Sequence, residues 1–536
     1  MLRAGYSLGY NRPGMSDFTG AIDDNPGIDI TANRSQTLGN LGAPGSVLLR
    51  HRNQLGPPDI PVTRVFPFTA AIDEDVHIFD PSLQVPYAQT WSAGWQRRIT
   101  GDMAVELRYV GTRFLQGWTE YDVNEVDIIE NGVLDEFRLA QRNLRANIAA
   151  GRGATFGYAG PGTATSPLPI FLAYFTGLPR SQSGDASAYT SELFSDATFV
   201  DPLATYNPRP QIATDALDGD QARRDNALHA GLPANFLVAN PHLLGGAEIT
   251  GNGEFTRYDG LQVELRKRLS HGLQVEGSYT FGKAYVSDRY SFRTPRATVL
   301  DSGAEAGVTH AFKANWVYEL PFGRDRAFFG GASSWLDRLI GGWSFDGIAR
   351  IQGGRLLDFG NVRLVGMTAG EFAEAFDLRF DDDGKAVYML PQEIIDNTVR
   401  AFDVSATSPT GYGDQGPPSG RYLAPANGPD CIEVAAPIDL DDADAPLGFG
   451  ECGARSLIVT GPRQVRFDLS VVKKVAITGR VSFEFRAELL NAFNHPWFTP
   501  VTGVDTGSYD DPDNFRLTDV GETSSRIIQL VSRLSW

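Results

Sequence analysis

Short stretches in which apolar and charged residues alternate limit the folds that this chain can adopt. In VSFEFRAEL, residues 481–489, the odd positions are apolar and the even positions are serine or charged. LQVELRKRL at 261–269 and GLQVEGSYTFGKAY at 272–285 alternate in nearly the same way. A period of two residues places neighbouring side chains on opposite faces of a β-strand. These segments therefore predict strands with one apolar face and one charged face.

The connections between the predicted strands are short at one end and long at the other. Three tight hairpins are predicted, 87–99 with 103–114, 255–269 with 272–286, and 461–475 with 479–491. The long connections are roughly 12–86, 115–254, 287–307, 354–460 and 492–524. If the strands run antiparallel in sequence order, every tight turn falls at one end of the sheet. Outer-membrane barrels have this arrangement, with short periplasmic turns and long extracellular loops.

We therefore predict an all-β fold with about ten antiparallel strands of a transmembrane β-barrel, a partial barrel. Residues at roughly 12–86, 115–254 and 354–460 form its large loop insertions, and 134–150 has the apolar spacing of a helix. Eight aromatic residues are expected near the interfacial girdles: Trp91, Trp95, Tyr109, Tyr279, Phe281, Trp316, Tyr318 and Trp343. Alternation also occurs in soluble antiparallel sheets. A secreted β-sandwich with carbohydrate-binding loops is therefore an alternative.

Charge and cysteine content exclude several classes of protein. The chain has 47 Lys and Arg against 65 Asp and Glu, a net charge of −18, which argues against nucleic acid as a partner. Cys431 and Cys452 form either one disulfide or two free thiols. The sequence contains no run of eighteen apolar residues, so no transmembrane helix is predicted. The first residues, MLRAGYSLGY, lack the pattern of a signal peptide.

No motif in the sequence supports catalysis or a bound cofactor. Residues 5–9 match a nucleophile elbow, but no helix follows the serine. The seven histidines are scattered, without the spacing of a metal-binding helix or of a His/Cys cluster. Acidic runs at 381–384, 441–444 and 510–513 suit Ca²⁺, but solvated loops are the favoured interpretation. We therefore predict no enzyme, no cofactor and no metal site.

The charged half of the alternating strands is expected to face a water-filled lumen, as in porin-like barrels. Six residues are predicted to line it: Glu264, Arg266, Arg268, Glu484, Arg486 and Glu488.

Five segments together carry a resemblance to a known family. They are VPYAQTWSAGWQRRITGDMAVELRYVGTRF (85–114), YDGLQVELRKRLSHGLQVEGSYTFGKAY (258–285), FKANWVYELPFGR (312–324), GGWSFDGIARIQGG (341–354) and FRAELLNAFNHPWF (485–498). In this order they resemble the C-terminal barrel of Oar-like TonB-dependent receptors. Residues 134–153 are similar to the large extracellular insertion of that group. The resemblance implies a Gram-negative outer-membrane transporter or receptor whose full barrel has about twenty-two strands and is closed by a plug. It implies outer-membrane lipid, the barrel-assembly machinery and the TonB system as partners.

The sequence differs from the family at its N-terminal side. We find no plug, TonB box, carboxypeptidase-regulatory-like domain or signal peptide ahead of the predicted strands. The expectation is therefore that residues 1–536 are the C-terminal part of a longer protein. A surface adhesin or structural barrel, which displays loops without moving a substrate, is the alternative function. Substrate and direction of transport cannot be read from the sequence.

The final residues, RIIQLVSRLSW, alternate like a barrel strand. Ile528, Leu530, Leu534 and Trp536 fall on one face, and Gln529 and Arg533 fall on the other. The strand with its terminal aromatic residue resembles the C-terminal signal that the barrel-assembly machinery reads. These four residues are the candidate assembly signal.

Overall fold

The computed structural model of the protein describes the greater part of the chain, and the statements below concern that part. The described residues are 1–12, 14, 18–19, 25, 76–200, 217–242, 246–288, 292, 297–301, 308–381, 383–425, 456–498, 509, 511–517 and 525–536. Cys431 and Cys452, the candidate disulfide, lie outside them, as does the acidic run 441–444.

The strands are numbered in chain order. Their bounds are β1 Leu2–Tyr10, β2 Val76–Phe79, β3 Tyr87–Arg98, β4 Met103–Asp122, β5 Ala247–Ser270, β6 Leu273–Asp288, β7 Ala297–Leu300, β8 His310–Glu319, β9 Trp343–Gln352, β10 Leu356–Val365, β11 Arg379–Phe380, β12 Val387–Tyr388, β13 Tyr422–Pro425, β14 Ser456–Thr460, β15 Gln464–Ala476, β16 Ser482–Leu490 and β17 Ile527–Ser535.

Ten of these strands form one continuous antiparallel sheet, which confirms the predicted fold class. Their order is β1-β3-β4-β5-β6-β8-β9-β15-β16-β17. β1 and β17 are the two edge strands of this described sheet, which is open between them. Two short strands join its rim, β2 in parallel with β5 and β7 antiparallel to β6. Sequence order and spatial order agree because each strand pairs with the next through a hairpin or around an insertion.

The three predicted tight hairpins are present, and one turn is displaced by a residue. β5 ends at Ser270 and β6 begins at Leu273, so the turn consists of His271 and Gly272. Both have positive φ angles, 50° and 79°, as the central residues of a type I′ turn require. A side chain at Gly272 would also approach the Glu319 carbonyl oxygen to 2.9 Å. The turn therefore needs glycine for two independent reasons.

The predicted ends of β4 and β5 at the long-loop end were wrong. Pairing continues beyond residues 114 and 255 until Asp122 faces Glu248. A bulge between Phe114 and Trp118 shifts the register, and Gln116 there has a φ angle of 60°. A bulge interrupts the alternation of faces while the ladder continues. The period-two pattern therefore stopped before the strands did.

Helical structure lies mainly in the two long segments predicted as loop insertions. The helices are α1 Val133–Ala149, α2 Pro169–Thr176, α3 Gln221–His229, α4 Ser334–Ile340, α5 Ala369–Glu374 and α6 Gln392–Phe402. Short 3-10 turns occur at Arg180–Gln182, Ala186–Ala188, Glu192–Ser195, Ala197–Val200 and Pro512–Phe515. None of the helices in the described part of the chain is long and apolar enough to cross a membrane.

Residues 123–200 and 217–242, between β4 and β5, form a helical insertion with its own hydrophobic core. The helix predicted at 134–150 is α1, and it buries Leu134, Phe137 and Leu144 in this core. α2 is apolar on every side and is buried from Ile170 to Phe175. Such a helix has no amphipathic period, which is why the sequence pattern did not reveal it.

Amide side chains on α1 hold the irregular chain of the helical insertion. Asn143 donates to the carbonyl oxygens of Phe156 and Ser166 at 3.0 and 2.7 Å. Asn147 donates to those of Thr155 and Gly157 at 2.7 and 3.0 Å. Buried carbonyl groups outside regular structure need such partners. The buried amides therefore allow a compact core with little regular secondary structure.

A second insertion follows β9 and contains a small sheet with two helices. β10 lies between β13 and β14, and all three strands are antiparallel. Its core includes Phe359 and Phe372, whose rings pack edge to face at 5.2 Å, and Ile394 and Ile395 of α6. Both long segments therefore contain folded units rather than simple loops.

Glu136 is a buried carboxylate at the centre of the helical insertion. It accepts the backbone N–H groups of Ile170 and Phe171 at the start of α2, at 2.6 and 2.8 Å. Burial raises the pKa of Glu136 to about 7, and these two hydrogen bonds oppose the shift only in part. Burial raises the pKa of Asp218 in the same insertion to about 6. The folded insertion therefore retains protons that an unfolded chain releases.

We expect the helical insertion to be more stable at pH 5 than at pH 8. Between the unfolded pKa of Glu136 near 4.5 and the folded value of about 7, the folded state binds more protons. Stability therefore falls as the pH rises through this window, by roughly 3 kcal/mol if Glu136 acts alone. Hydrogen exchange of the α1 and α2 amides, corrected for intrinsic rates, measures the change.

Glu136→Gln keeps an oxygen for the two N–H donors and removes the charge. It is expected to flatten most of this pH dependence, leaving the smaller slope from Asp218. Glu192→Gln, at an exposed position in the same insertion, is the matched control. An unchanged pH dependence in Glu136→Gln would show that another group is responsible.

Candidate functional site

The register of the ten-stranded sheet places whole rows of residues on one face or the other. One row is entirely apolar: Leu2, Trp95, Leu107, Val263, Tyr279, Phe312, Ile351 and Val465. The next row is entirely polar: Gln96, Glu106, Glu264, Ser278, Lys313, Arg350 and Arg466. Adjacent residues of a strand point to opposite faces. The sheet therefore has a continuous apolar face and a continuous polar face.

The six predicted lumen residues lie on the polar face in two separate groups. On β5, Arg266 pairs with Glu264 and reaches Glu276 of β6 at 3.3 Å. Arg268 lies closer to the tight turns, where it donates to the Gly101 carbonyl oxygen at 3.2 Å.

On β16, Arg486 lies between two carboxylates of its own strand. Its guanidinium is 3.3 Å from an oxygen of Glu484 and 3.3 Å from an oxygen of Glu488. Lys474 of β15 approaches the other oxygen of Glu484 at 3.4 Å. β6, β8, β9 and β15 separate this group from the one on β5. The predicted residues therefore share a face but do not form one compact site.

Charge is unevenly distributed along the polar row. Glu106 faces Glu264 directly, whereas Lys313, Arg350 and Arg466 are consecutive partners on three other strands. Carboxylates on the same strands neutralise part of this positive charge, since Arg466 donates to both oxygens of Asp468 at 3.0 and 3.1 Å. We call Lys313, Arg350 and Arg466 the basic row. Sequence reasoning did not select these residues, because alternation places each of them on the polar face but only the order of the strands brings them together.

A cleft of about 310 Å³ opens over β8, β9, β15 and β16. Its polar lining includes Asn315, Asp346, Asp468, Arg486 and Glu488. One oxygen of Asp346 is buried and has no hydrogen-bond partner among the described residues.

On the apolar face, two tryptophans lie flat against glycines of the neighbouring strand. A Cβ atom at Gly111 would come within 2.4 Å of the Trp91 indole, and one at Gly347 within 2.2 Å of the Trp316 indole. Each glycine is the register partner of the tryptophan that covers it. The rings therefore occupy the space that a side chain would fill.

Polar partners accompany aromatic residues at the two ends of the apolar face. At the long-loop end, the Tyr109 hydroxyl donates to Asp259 at 2.5 Å, and Arg113 lies over the Trp91 ring at 5.6 Å. At the tight-turn end, the Trp343 indole N–H donates to the Leu339 carbonyl oxygen at 3.0 Å. Aromatic side chains with polar partners are typical of membrane interfaces.

The predicted assembly residues lie on or beside the edge strand β17. Ile528, Leu530 and Leu534 face Leu489, Ala487 and Phe483 of β16. All three are more than half exposed, at 64%, 67% and 52%. Trp536 follows the last strand residue and is 90% exposed.

The sheet, with one apolar face and one charged face, defines the wall of a transmembrane β-barrel. The family model described as the outer membrane beta barrel domain matches residues 1–529. The chain belongs to this family, and its location is the outer membrane of a Gram-negative bacterium. None of the curated proteins compared with the chain matches it.

Several solved outer-membrane structures are similar to the chain. The ferripyoverdine receptor of Pseudomonas aeruginosa is 10% identical with a TM-score of 0.28, over 84% of this chain and 27% of the receptor. The outer membrane transporter YddB from Escherichia coli is 7% identical with a TM-score of 0.28, over 86% of this chain and 34% of YddB. The toluene transporter TodX of Pseudomonas putida is 8% identical with a TM-score of 0.16, over 75% and 55%. The chain thus spans about a quarter to a third of the length of the first two.

Proposed function

We propose that the chain forms part of the wall of an Oar-like TonB-dependent receptor or transporter, which moves a polar solute across the outer membrane without chemical change. The observation that carries this proposal is the polar row, which crosses seven neighbouring strands beside an entirely apolar row. In a barrel, the apolar face meets lipid and the polar face meets the lumen. A row of polar residues on seven strands, charged on five of them, suits the lining of a water-filled path better than a single binding site.

The orientation of the barrel follows from the lengths of its connections. The two folded insertions lie at the long-loop end and would face the cell exterior, while the tight turns would face the periplasm. The TonB system, the barrel-assembly machinery and outer-membrane lipid are the partners that this proposal includes. Residues Ile528, Leu530, Leu534 and Trp536 would provide the assembly signal.

The basic row offers a direct test of transport. In a strain that lacks the gene, uptake and export of polar solutes are compared with and without the wild-type gene. Lys313→Gln combined with Arg350→Gln is expected to reduce the flux of anionic solutes, because positive charge in a lumen attracts and orients them. Outer-membrane levels and heat-modifiable migration on gels should remain normal, since both substitutions lie on the polar face.

The control variant must leave the core of the second insertion intact, so Leu356→Gln combined with Leu357→Gln is unsuitable, since Leu357 belongs to that core. Gln96→Asn combined with Ser278→Thr changes the same polar row without changing its charge, and should leave flux unchanged. If deletion of the gene alters no flux but abolishes surface adhesion, the transporter proposal fails and the adhesin alternative holds.

A further inference from the structure

A cluster of metal-ligating side chains lies where β4 and β5 leave the main sheet for the helical insertion. β6 pairs with β5 only from Thr256 onward, and beyond that point β2 takes the same edge of β5 in parallel. His77 of β2 faces Glu248 of β5 in the register. Glu120 of β4 faces Thr250, two residues further along β5. The three side chains therefore share one face of a three-stranded segment.

The donor atoms of this cluster are close enough to share one ion. One atom each from His77, Glu120 and Glu248 lie within 4.8 Å of one another. His77 Nδ1 is 2.9 Å from Glu248 Oε2, and these two side chains are only 13% and 17% exposed. Nevertheless, Nδ1 is buried, and within the described part of the chain it has no partner with hydrogen-bond geometry. The short distance therefore does not represent a satisfied hydrogen bond of the ring.

Neighbouring groups hold the cluster in place. The Asn25 side chain accepts a hydrogen bond from the His77 backbone N–H at 2.6 Å and donates one to the His77 backbone carbonyl oxygen at 2.8 Å. The Thr250 hydroxyl donates to one oxygen of Glu120 at 3.1 Å. Such supporting bonds orient ligands in metal sites. They fix the histidine from its backbone and one carboxylate from its side chain.

We propose that His77, Glu120 and Glu248 bind a single divalent transition-metal ion, with Zn²⁺ as the best fit. An imidazole nitrogen with two carboxylate oxygens suits Zn²⁺ and neighbouring transition metals better than Ca²⁺ or Mg²⁺, which prefer oxygen ligands alone. Three protein ligands leave a fourth tetrahedral position for water. Glu120 is exposed, so an ion can enter from solvent.

The bound ion would join three strands that are distant in the sequence. β2 pairs with β5 over only four residues, from Val76 to Phe79. β4 and β5 carry the whole helical insertion between them. A shared ion at this point would fasten β2 to the base of the insertion. This site lies at the long-loop end of β4 and β5, beyond the segment in which β6 pairs with β5.

Zinc binding by the full chain in detergent tests the proposal. Cys431→Ser with Cys452→Ser is used as the background, which removes thiol ligands. The protein is stripped with a chelator and dialysed against Zn²⁺, and bound metal is measured by mass spectrometry. A single Zn²⁺ per chain is expected, and His77→Ala should abolish it. Glu120→Gln should weaken binding by more than about tenfold, since loss of outer partners alone can cost that much.

His229→Ala, which removes an exposed histidine of α3, is the matched control and should bind Zn²⁺ normally. Co²⁺ supplies a second readout, because its visible absorption in the background protein should disappear in His77→Ala. Heat-modifiable migration on gels verifies that each variant is folded. If His77→Ala does not fold, Glu120→Gln still tests the site, because an exposed position tolerates this substitution. The proposal is overturned if folded protein binds no Zn²⁺, or if Glu120→Gln and the background protein bind it equally.

Discussion

Phe137→Ala is expected to lower the free energy of unfolding of the helical insertion by about 3–5 kcal/mol. Phe137 is 1% exposed and belongs to the core that α1 shares with α2. Its removal takes away buried apolar area and leaves a cavity that the surrounding core residues cannot fully close. Local hydrogen exchange and limited proteolysis should both show faster opening of residues 133–149 and 169–176.

The effect should be confined to the insertion, because its core is separate from the ten-stranded sheet. Leu228→Ala on α3 removes a side chain that is 53% exposed, and it should cost little. Exchange protection in β5 and β6 should be unchanged in both variants. Equal loss of protection in these strands after Phe137→Ala would mean that the insertion and the sheet unfold together.

Leu261→Arg is expected to impair assembly of the sheet in the outer membrane. Leu261 is 42% exposed on the apolar face of β5, between Tyr109 and Phe281 in the register. An arginine on the lipid-facing side of a barrel strand costs up to about 2–4 kcal/mol, and the cost falls towards either interface. The amount of folded, heat-modifiable protein in outer-membrane fractions measures the loss.

Gln262→Arg is the matched control, since it introduces the same residue at the adjacent position. Gln262 is on the polar face, where its register partners are Arg108 and Thr280. Folded protein should remain near the wild-type level, with a small decrease from the added charge beside Arg108. If Gln262→Arg is the more harmful variant, the assignment of the two faces is reversed.

The sheet could be predicted from sequence where local pattern and pairing coincide. β3 with β4, β5 with β6, and β15 with β16 each combine period-two alternation with a tight turn, so register followed from neighbouring residues. The pattern failed at the bulge near Gln116, where pairing persists but the faces shift. It also failed for α2, which is buried on all sides and has no polar face to set a period.

The candidate sites were predictable to different degrees, because the residues of some lie close together in the sequence and those of others do not. Glu264 with Arg266, and Glu484 with Arg486, are two residues apart in one strand, so the sequence itself places them together. The basic row required the order of strands as well as their alternation. The cluster of His77, Glu120 and Glu248 depends on a parallel pairing between distant segments. No local spacing could indicate that pairing.

The two indoles that lie on glycines shape the outer surface of the wall. Trp91 and Trp316 are among the largest side chains on the apolar face, yet each fills the space above Gly111 or Gly347 instead of projecting outward. The lipid-facing surface is therefore expected to be smooth at these two points, so that acyl chains can pack against it without a gap. Because each ring lies against the backbone of the neighbouring strand, it adds apolar contact area for lipid with little protrusion from the surface.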